Sequence, residues 1–361
     1  MKTRFVLLTA AAVLGLASCN KDRVVEMSVP DAINFNASLG FATKATSKTS
    51  FATGDKFDVW SVFDNAGAKT TYFHDNYLFD GTSWHSTSTP YYWPETVDGT
   101  HTLTFHAVWP ENIARTTSAD SFNYTVVDAS ANQKDVLYAK HVSTSKETTG
   151  VKLNFRHTLS MIDVKVKNSS STLKFDVTGI KVAFVNKAGT FTATSVASGN
   201  TDDMNTGNLA KTDWVATDGT ADASKGYNQT GLSASIAAGA SATGLGTSWM
   251  LMPQEQTIAG AYTSSELAAP ANGAYLAVKM TIRNAADGTV IASERWCCWP
   301  VAISWTPGYK YTYTIDLAGG GYEETNVDGD PELDPVLGGQ EIIFVNCTVD
   351  AWDEFNKDIV M

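Results

Sequence analysis

Short stretches in which every second residue is apolar recur along this chain. Successive side chains of a strand point to opposite faces, so these stretches predict strands with one apolar face. The clearest hairpin joins Tyr275–Ile282 to Thr289–Trp296 through the turn Asp287-Gly288. The clearest stripes are Leu103, Phe105, Ala107 and Trp109; Ile162, Val164 and Val166; and Tyr309, Tyr311, Tyr313, Ile315 and Leu317.

Helical patterns are missing from the sequence. No stretch combines about twelve residues of helical periodicity with a cap and a stop signal. Because parallel strands need crossover connections that are usually helical, we expect antiparallel sheets. Short alternating strands between frequent turns indicate β-sandwiches. Only 18% of the residues are charged, which fits β-structure and turns exposed outside the cell.

The length of 361 residues, at about 150 residues per domain, predicts two domains. A polar break at Asn168–Ser171 follows a strong strand. We therefore predict an all-β chain with an N-terminal β-sandwich over 45–167 and a C-terminal β-sandwich over 168–361. A Gly-rich, acidic linker over 319–339 precedes one last strand at 341–352.

The first residues read as an export signal. Lys2 and Arg4 precede an apolar run, Phe5–Leu16, which is too short for the ~20 residues that span a bilayer. Two small residues and Cys19 follow, as in a bacterial lipoprotein box. We predict that residues 1–18 are removed and that the Cys19 thiol carries a diacylglycerol anchor. A plain secretory signal with an incidental cysteine is the alternative.

Three further cysteines remain: Cys297, Cys298 and Cys347. Neighbouring residues of a strand point to opposite faces, so at most one of Cys297 and Cys298 can pair with Cys347. The spacing is neither a disulfide framework nor a C-x-x-C site. We expect three buried small hydrophobes, and the sequence leaves open whether a disulfide forms.

Charge argues against nucleic acid as a partner. The chain has 26 Lys and Arg against 38 Asp and Glu, a formal net charge of -12, and it lacks the basic runs that neutralise phosphates. It also lacks a G-x-S-x-G elbow, a P-loop, a G-x-G-x-x-G loop and an H-E-x-x-H motif. We therefore predict a protein that is not an enzyme. A distant carboxylate pair for glycoside hydrolysis needs no motif, and no pattern singles one out.

No metal or cofactor site is predicted. The closest histidine pair, His101 and His106, has an odd spacing that places the two rings on opposite faces of a strand. The tract Asn326–Asp330 begins like a calcium loop, but Pro331 stands where the loop needs glycine, and Leu337 stands where it needs glutamate. A solvated acidic linker is the simpler interpretation.

An aromatic cluster is the remaining candidate site. Tyr91, Tyr92 and Trp93 are consecutive, and Trp84 and Trp109 lie nearby in sequence. Aromatic faces can stack on sugar rings or on a partner protein. Packing in a core is the alternative, and it is the commoner role of aromatic side chains.

Several segments, in order, resemble the fimbrillin-like surface lipoproteins of Bacteroidales (the Mfa/FimA type), which are subunits of type V pili. The resemblance spans nearly the whole mature chain. The segments that carry it are Phe51–Trp60, Tyr92–Pro94 with Leu103–Pro110, Asp135–Ala139 with Val151–Ser160, Pro307–Tyr311 and Val345–Trp352.

The resemblance implies two transthyretin-like β-sandwiches in tandem and assembly by donor-strand exchange. In that scheme a protease removes the first strand, and a C-terminal strand of a neighbouring subunit fills the groove. The leader segment, 19–44, contains a one-faced stripe that fits a removable strand. A trypsin-like protease would release it by cutting at Lys44 or Lys48, although the family's site commonly has arginine. The stripe is Ile33, Phe35, Ala37 and Leu39.

The C-terminal strand fits the donor. Ile342, Ile343, Phe344 and Val345 are apolar on both faces, and such a strand needs cover on both sides. A Gly-rich tether before this extra strand suits its addition to a partner. That the strand simply completes its own domain is the alternative. The residues predicted to face the groove are Ile343, Val345, Cys347 and Val349.

The leading functional hypothesis is a structural and adhesive pilus subunit at the cell surface, exported as an outer-membrane lipoprotein. Its expected partners are other pilin subunits, in a homo- or hetero-polymer, and a trypsin-like maturation protease. The alternative is a monomeric surface lipoprotein that binds a glycan or a host protein through Tyr91, Tyr92 and Trp93. One sequence does not decide between stalk, anchor and tip positions.

Overall fold

The computed structural model describes residues 32–39, 50–194, 209–221, 224–256, 273–319 and 322–323. These residues form strands and three short 3-10 helices, and none of the helices is long and apolar enough to cross a membrane. The helices are Ser130–Asn132, Lys211–Asp213 and Leu317–Gly319. The strands are β1 Phe35–Leu39, β2 Lys56–Asn65, β3 Ala68–Phe79, β4 Trp84–Ser86, β5 His101–Trp109, β6 Ala114–Arg115, β7 Ser121–Thr125, β8 Leu137–Ser143, β9 Val151–His157, β10 Ser160–Lys167, β11 Leu173–Ala183, β12 Ala188–Thr192, β13 Trp214–Ala216, β14 Gly226–Ile236, β15 Thr243–Leu251, β16 Glu255–Gln256, β17 Tyr275–Asn284, β18 Val290–Pro300, β19 Ile303–Ser304, β20 Lys310–Asp316 and β21 Tyr322–Glu323.

The first half of the chain forms a seven-stranded sheet in the order β1-β9-β8-β5-β2-β3-β4. Phe57, Val59 and Ser61 alternate along β2 and are all buried, as period-2 patterning predicts. The apolar face of this sheet encloses what we call the first core. Its buried residues are Ile33, Phe35, Phe57, Val59, Phe73, Tyr77, Trp84, Trp93, Leu103, Phe105, Ala107, Leu137, Ala139, Val151, Leu153 and Phe155.

The second half builds a five-stranded sheet, β14-β11-β17-β18-β21, and a three-stranded sheet, β15-β10-β20. β17 and β18 form the predicted antiparallel hairpin, and Gly288 adopts the left-handed conformation (φ +76°) in its turn. A four-stranded sheet, β13-β12-β7-β6, completes the cover of what we call the second core. Its largest fully buried side chains are Trp249, Trp305, Tyr138, Tyr227, Phe122, Phe175 and Phe191.

Two strands contribute to both cores. On β5, Ala107 belongs to the first core and the next residue, Val108, to the second. On β8, Leu137 and Ala139 face the first core, while Tyr138 between them belongs to the second. Because alternate residues of a strand point to opposite faces, these strands form a wall shared by the two cores.

The all-β class predicted from the sequence is confirmed, and most strand pairs are antiparallel. Two pairs are parallel instead: β1 with β9, and β10 with β20. A parallel pair needs a long crossover, which is usually a helix. Here the strands between the partners form the crossover, so no helix is required.

The position of β10 bears on the domain boundary. β10 lies before the polar break at Asn168, yet it pairs with β15 and β20 of the second half. Its residues Met161, Ile162 and Val164 are buried in the second core. We propose that the boundary between tandem units lies between β9 and β10, a few residues before 168.

Candidate functional site

Strand β1 closes the first core. It pairs in parallel with β9, with Phe35 opposite Val151 and Leu39 opposite Phe155. On its other side, the amide of Ile33 donates to the carbonyl of Tyr91 at 2.8 Å. β9 thus pairs with the strand itself, and the segment around Tyr91 pairs with the residues just before it. The backbone of residues 32–39 connects the two.

The side chains of β1 alternate as the sequence predicts. Ile33 and Phe35 are 3% and 2% exposed, whereas Ala37 and Leu39 are half-buried at the other end of the stripe. The opposite face is polar, and the Asn36 side-chain amide donates to the carbonyl of Thr149 at 2.9 Å. The predicted removable strand is thus a regular strand with its apolar side inside the first core.

Phe35 lies at the centre of an aromatic group. Its ring meets Tyr77, Phe105 and Phe57 edge-on, with ring centroids 4.6, 5.3 and 5.9 Å away. Edge-to-face pairs of this kind contribute about 0.5–1.5 kcal/mol each beyond their buried area. Burial raises the pKa of Tyr77 well above its ordinary value, because the site has little room for water around a phenolate. Together these rings would line the groove that β1 fills.

The proposed ligand aromatics are placed differently from one another. Trp93 is 4% exposed and meets Phe105 edge-on, and the Tyr91 ring stacks on Phe73 with centroids 4.2 Å apart. Tyr92 is 39% exposed, and its carbonyl accepts a hydrogen bond from Tyr72. Of the three, Tyr92 is therefore exposed, Tyr91 is half-buried and Trp93 is buried. The backbone role of this segment in holding β1 has no signature in the sequence.

Other predicted site residues lie outside the described residues. These are the lipidation residue Cys19, the candidate cleavage residues Lys44 and Lys48, and the donor residues Ile343, Val345, Cys347 and Val349. Cys297 and Cys298 are buried on β18, opposite Val278 and Ala277 of β17. Their burial agrees with the expectation of buried small hydrophobes, and Cys347 lies outside the described residues.

A buried ion pair joins the first sheet to the β6–β7 hairpin. Arg115 on β6 places its Nε 3.2 Å from Asp58 Oδ1, and Asp58 Oδ2 lies 2.5 Å from His74 Nε2. The Arg115 Nη2 atom donates to the carbonyls of Ala119 and His106. Burial raises the pKa of Asp58, although the charges of Arg115 and His74 act in the opposite direction. Sequence reasoning missed this group, because residues far apart in sequence form it.

His106 sits beside this ion pair. Its Nδ1 lies 2.8 Å from the Tyr138 hydroxyl, and burial lowers the pKa of His106 to about 3. The ring is therefore neutral at physiological pH. A ring that stays neutral does not carry protons between partners at this pH. Its role is to pack in the wall between the cores, where the Tyr138 hydroxyl is its hydrogen-bond partner.

The other histidines also lie beside carboxylates. His157 lies 2.7 Å from Asp135, and His141 lies 2.5 Å from Glu147. On the turn after β3, Ser83 and Asp80 both approach the same atom, His85 Nε2. A catalytic triad needs the two ring nitrogens to serve different partners, so this group is no relay. Among the residues that the structure describes, no group of three or more potential ligands could hold a metal ion.

Comparison with solved structures finds proteins assigned to cell adhesion by their descriptions. One from Bacteroides ovatus has 14% identity and a TM-score of 0.46, covering 85% of this chain and 98% of its own. One from Parabacteroides distasonis has 9% identity and a TM-score of 0.46, covering 89% and 94%. One from Bacteroides uniformis has 17% identity and a TM-score of 0.42, covering 80% and 93%. At these TM-scores the likenesses carry no weight for function. No curated protein matches.

A sequence model of one family matches most of the chain. Its description is fimbrillin-like, and the match runs over residues 43–352. The match includes β2 to β21 and begins after β1. The resemblance noted in the sequence is confirmed. The chain belongs to the fimbrillin-like family, a non-enzymatic family of structural and adhesion proteins.

Proposed function

We propose that this chain is a structural and adhesive subunit of a surface pilus, assembled by proteolytic activation and donor-strand exchange. Membership of the fimbrillin-like family supports the pilus role. The observation that carries the exchange mechanism is the position of β1, a single edge strand that plugs the first core.

Removal of β1 would expose a specific slot. The amide of Val151 loses the carbonyl of Asn34, and the carbonyl of Tyr91 loses the amide of Ile33. A buried polar group left without a partner costs about 1–3 kcal/mol. The rings around Phe35 also lose their cover. An emptied groove therefore favours a replacement strand over remaining open.

The predicted donor strand has the pattern that this slot needs. Ile343, Val345, Cys347 and Val349 repeat the spacing of Ile33, Phe35, Ala37 and Leu39, with an apolar residue at every second position. A strand from a neighbouring copy would restore both the backbone pairing and the apolar cover. Head-to-tail donation that does not close into a ring grows a filament.

Export and activation complete the proposal. Lipidated Cys19 would hold the precursor at the outer membrane, and a trypsin-like cut at Lys44 or Lys48 would release β1 together with the lipid. A cleaved subunit would then stay at the surface only through its neighbours. An uncleaved subunit would keep its anchor and could end the filament at the membrane.

The test is limited trypsin digestion of the purified chain from residue 20 onward, followed by intact mass and gel mobility. We expect loss of the segment up to Lys44 or Lys48 and then a heat-labile ladder of multimers. Lys44→Gln combined with Lys48→Gln abolishes both. The matched control Lys69→Gln changes an exposed lysine on β3 and leaves the ladder intact.

Deletion of residues 341–361 tests polymerisation independently of cleavage. The shortened chain should still be cut near Lys44 and should remain a monomer. A ladder formed by this chain would refute the donor assignment. A wild-type chain that is cut there and stays a stable monomer would refute strand exchange and leave a monomeric surface protein.

A further inference from the structure

A shallow cleft with a mixed polar and apolar lining lies on the four-stranded sheet β13-β12-β7-β6, away from the β1 groove. It has a volume of about 320 Å³. That volume is at the lower end of the range for small-molecule sites, about 300–1,000 Å³. The residues that line it and bear on the argument are Asn112, Ala114, Asn123, Tyr124, Thr125 and Thr217.

Strand pairing explains why the cleft forms there. β6 pairs with β7 over only two positions, Ala114 with Asn123 and Arg115 with Phe122. Before Ala114 the chain leaves the ladder, so Asn112 forms a separate wall. The Arg115 contacts with Asp58 and Ala119 fix this wall against the first sheet. The cleft is thus built by ordered backbone.

Strand register places polar groups side by side on the outer face of this sheet. Asn123, Thr190 and Val215 are opposite one another on three adjacent strands. In the next row Thr125 faces Ala188, whose carbonyl accepts from the amide of Thr217. Residues in register share a face. The row therefore offers amide and hydroxyl groups beside Val215, which is 64% exposed.

The chemistry of the lining is uncharged. None of the residues that line the cleft is Asp, Glu, Lys, Arg or His, although the chain has 38 acids and 26 bases. An anion finds no counter-charge here, and neither does a cation. Amides and hydroxyls both donate and accept hydrogen bonds, which suits a ligand whose groups do the same.

Asn123 is already oriented for such a ligand. Its Oδ1 accepts a hydrogen bond from the Thr190 hydroxyl at 2.7 Å. Within the described part of the chain its Nδ2 donates no hydrogen bond, so this amide can donate to a ligand. Ile113 and Ala114, which also line the cleft, supply apolar contact for carbon-bound hydrogens.

We infer that this cleft binds one unit of a neutral saccharide. A pyranose ring carries hydroxyls that donate and accept at its edge and has an apolar face of C–H groups. The amide and hydroxyl rows would take the edge, and Ile113 with Ala114, which line the same cleft, would take the face. This binding site is separate from the β1 groove and does not depend on polymerisation.

Saturation-transfer NMR on the full chain tests the inference, with methyl α-mannoside, methyl β-galactoside and N-acetylglucosamine as probes. At least one should give a transfer signal at millimolar sugar. Asn123→Ala and Thr217→Val should each weaken binding about fivefold, the effect of one lost hydrogen bond. The matched control Asn228→Ala changes an exposed residue of β14 in the other sheet and should bind as the wild type does.

Three outcomes would overturn the inference: no signal from any of the three sugars, unchanged binding by Asn123→Ala, or preferential binding of the anionic sugar N-acetylneuraminic acid. The digestion assay distinguishes this failure from failure of the pilus proposal. Asn123→Ala should form the same ladder of multimers as the wild type whichever way the sugar experiment ends.

Discussion

In the first core, Phe35 lies on the five-residue edge strand β1, which pairs with β9. Ile33 lies two residues before this strand, and its amide donates to the carbonyl of Tyr91. In the second core, the central strands β11 and β17 each have a partner on both sides. A strand held at an edge can leave without breaking the rest of its sheet, whereas a central strand cannot. The strands that carry these core residues therefore differ in how they can be removed, because β1 lies at the edge of its sheet and β11 and β17 do not.

The two cores also differ in amino-acid composition. Eight of the sixteen buried residues described in the first core are aromatic, and Phe35 contacts three of the rings. The second core is mostly aliphatic around its central strands, as on β17 with Leu276, Val278 and Met280. Because several large rings meet at Phe35, much of the packing energy of the first core depends on the edge strand β1.

The largest expected effect comes from Phe35→Ala, which leaves a cavity among the rings. We expect a loss of about 3–5 kcal/mol in the free energy of unfolding of the first region. Phe175→Ala on β11 is the matched control in the second core. Hydrogen exchange in urea should report faster opening of β9 in the first variant and of β17 in the second. Equal opening of both regions in both variants would show that the cores do not differ in this way.

Arg115→Met tests whether the regions are joined. It leaves the buried Asp58 carboxylate without its main counter-charge, at a cost of about 3 kcal/mol. Because Arg115 lies on the hairpin of the second core, we expect faster exchange in both β2 and β7. Adding Asp58→Asn should recover part of the loss. A change confined to one region would contradict the joining role.

The sequence predicted those parts of the fold that alternation and local turns determine. The stripe from Ile33 to Leu39 and the hairpin β17–β18 are examples. It did not predict that β1 pairs in parallel with β9 or that β10 joins the second core, since each depends on partners far away in sequence. Burial of Trp93 was left open for the same reason, because an aromatic cluster looks alike in a core and on a surface.

Lowering the pH should reduce the free energy of unfolding, because His106 is buried as a neutral ring in the wall between the cores. Its folded pKa of about 3 is below the unfolded value near 6.5, mainly because the ring is buried. The unfolded chain therefore binds the extra proton between these pH values, and stability falls as pH decreases from about 6.5 towards 3, by up to about 1.4 kcal/mol per pH unit. Asp120 opposes this shift, while Lys140, Arg115 and Lys69 reinforce it.

Urea unfolding at several pH values checks this slope. His106→Gln removes the titrating ring and should flatten the pH dependence in that window. The raised folded pKa of Asp58 acts with the opposite sign, because its contribution is lost as pH rises. A variant with the same slope as the wild type would assign the acid sensitivity to other groups.

The smallest expected effect is that of Arg283→Gln in the second region. Arg283 Nε lies 2.7 Å from Asp176 Oδ2, and the hydrogen bond with Arg283 is the main reason why the pKa of Asp176 is lowered. Both side chains are about one-third exposed, so solvent screens the pair. We expect a loss of about 0.2–1 kcal/mol in the same urea experiment. A loss as large as that of Arg115→Met would show that the exposed ion pair of Arg283 contributes as much to stability as the buried ion pair of Arg115.

The pairing of β1 with β9 also has a kinetic consequence. The two strands lie on the order of a hundred residues apart along the chain, and closing a loop of that length is entropically costly and slow. During synthesis and export β1 appears first, but its partner β9 appears only after the seven described strands β2 to β8. The other strands of the first core must therefore assemble before β1 takes its place beside β9. A strand that arrives last in folding is also the one whose place another chain can take.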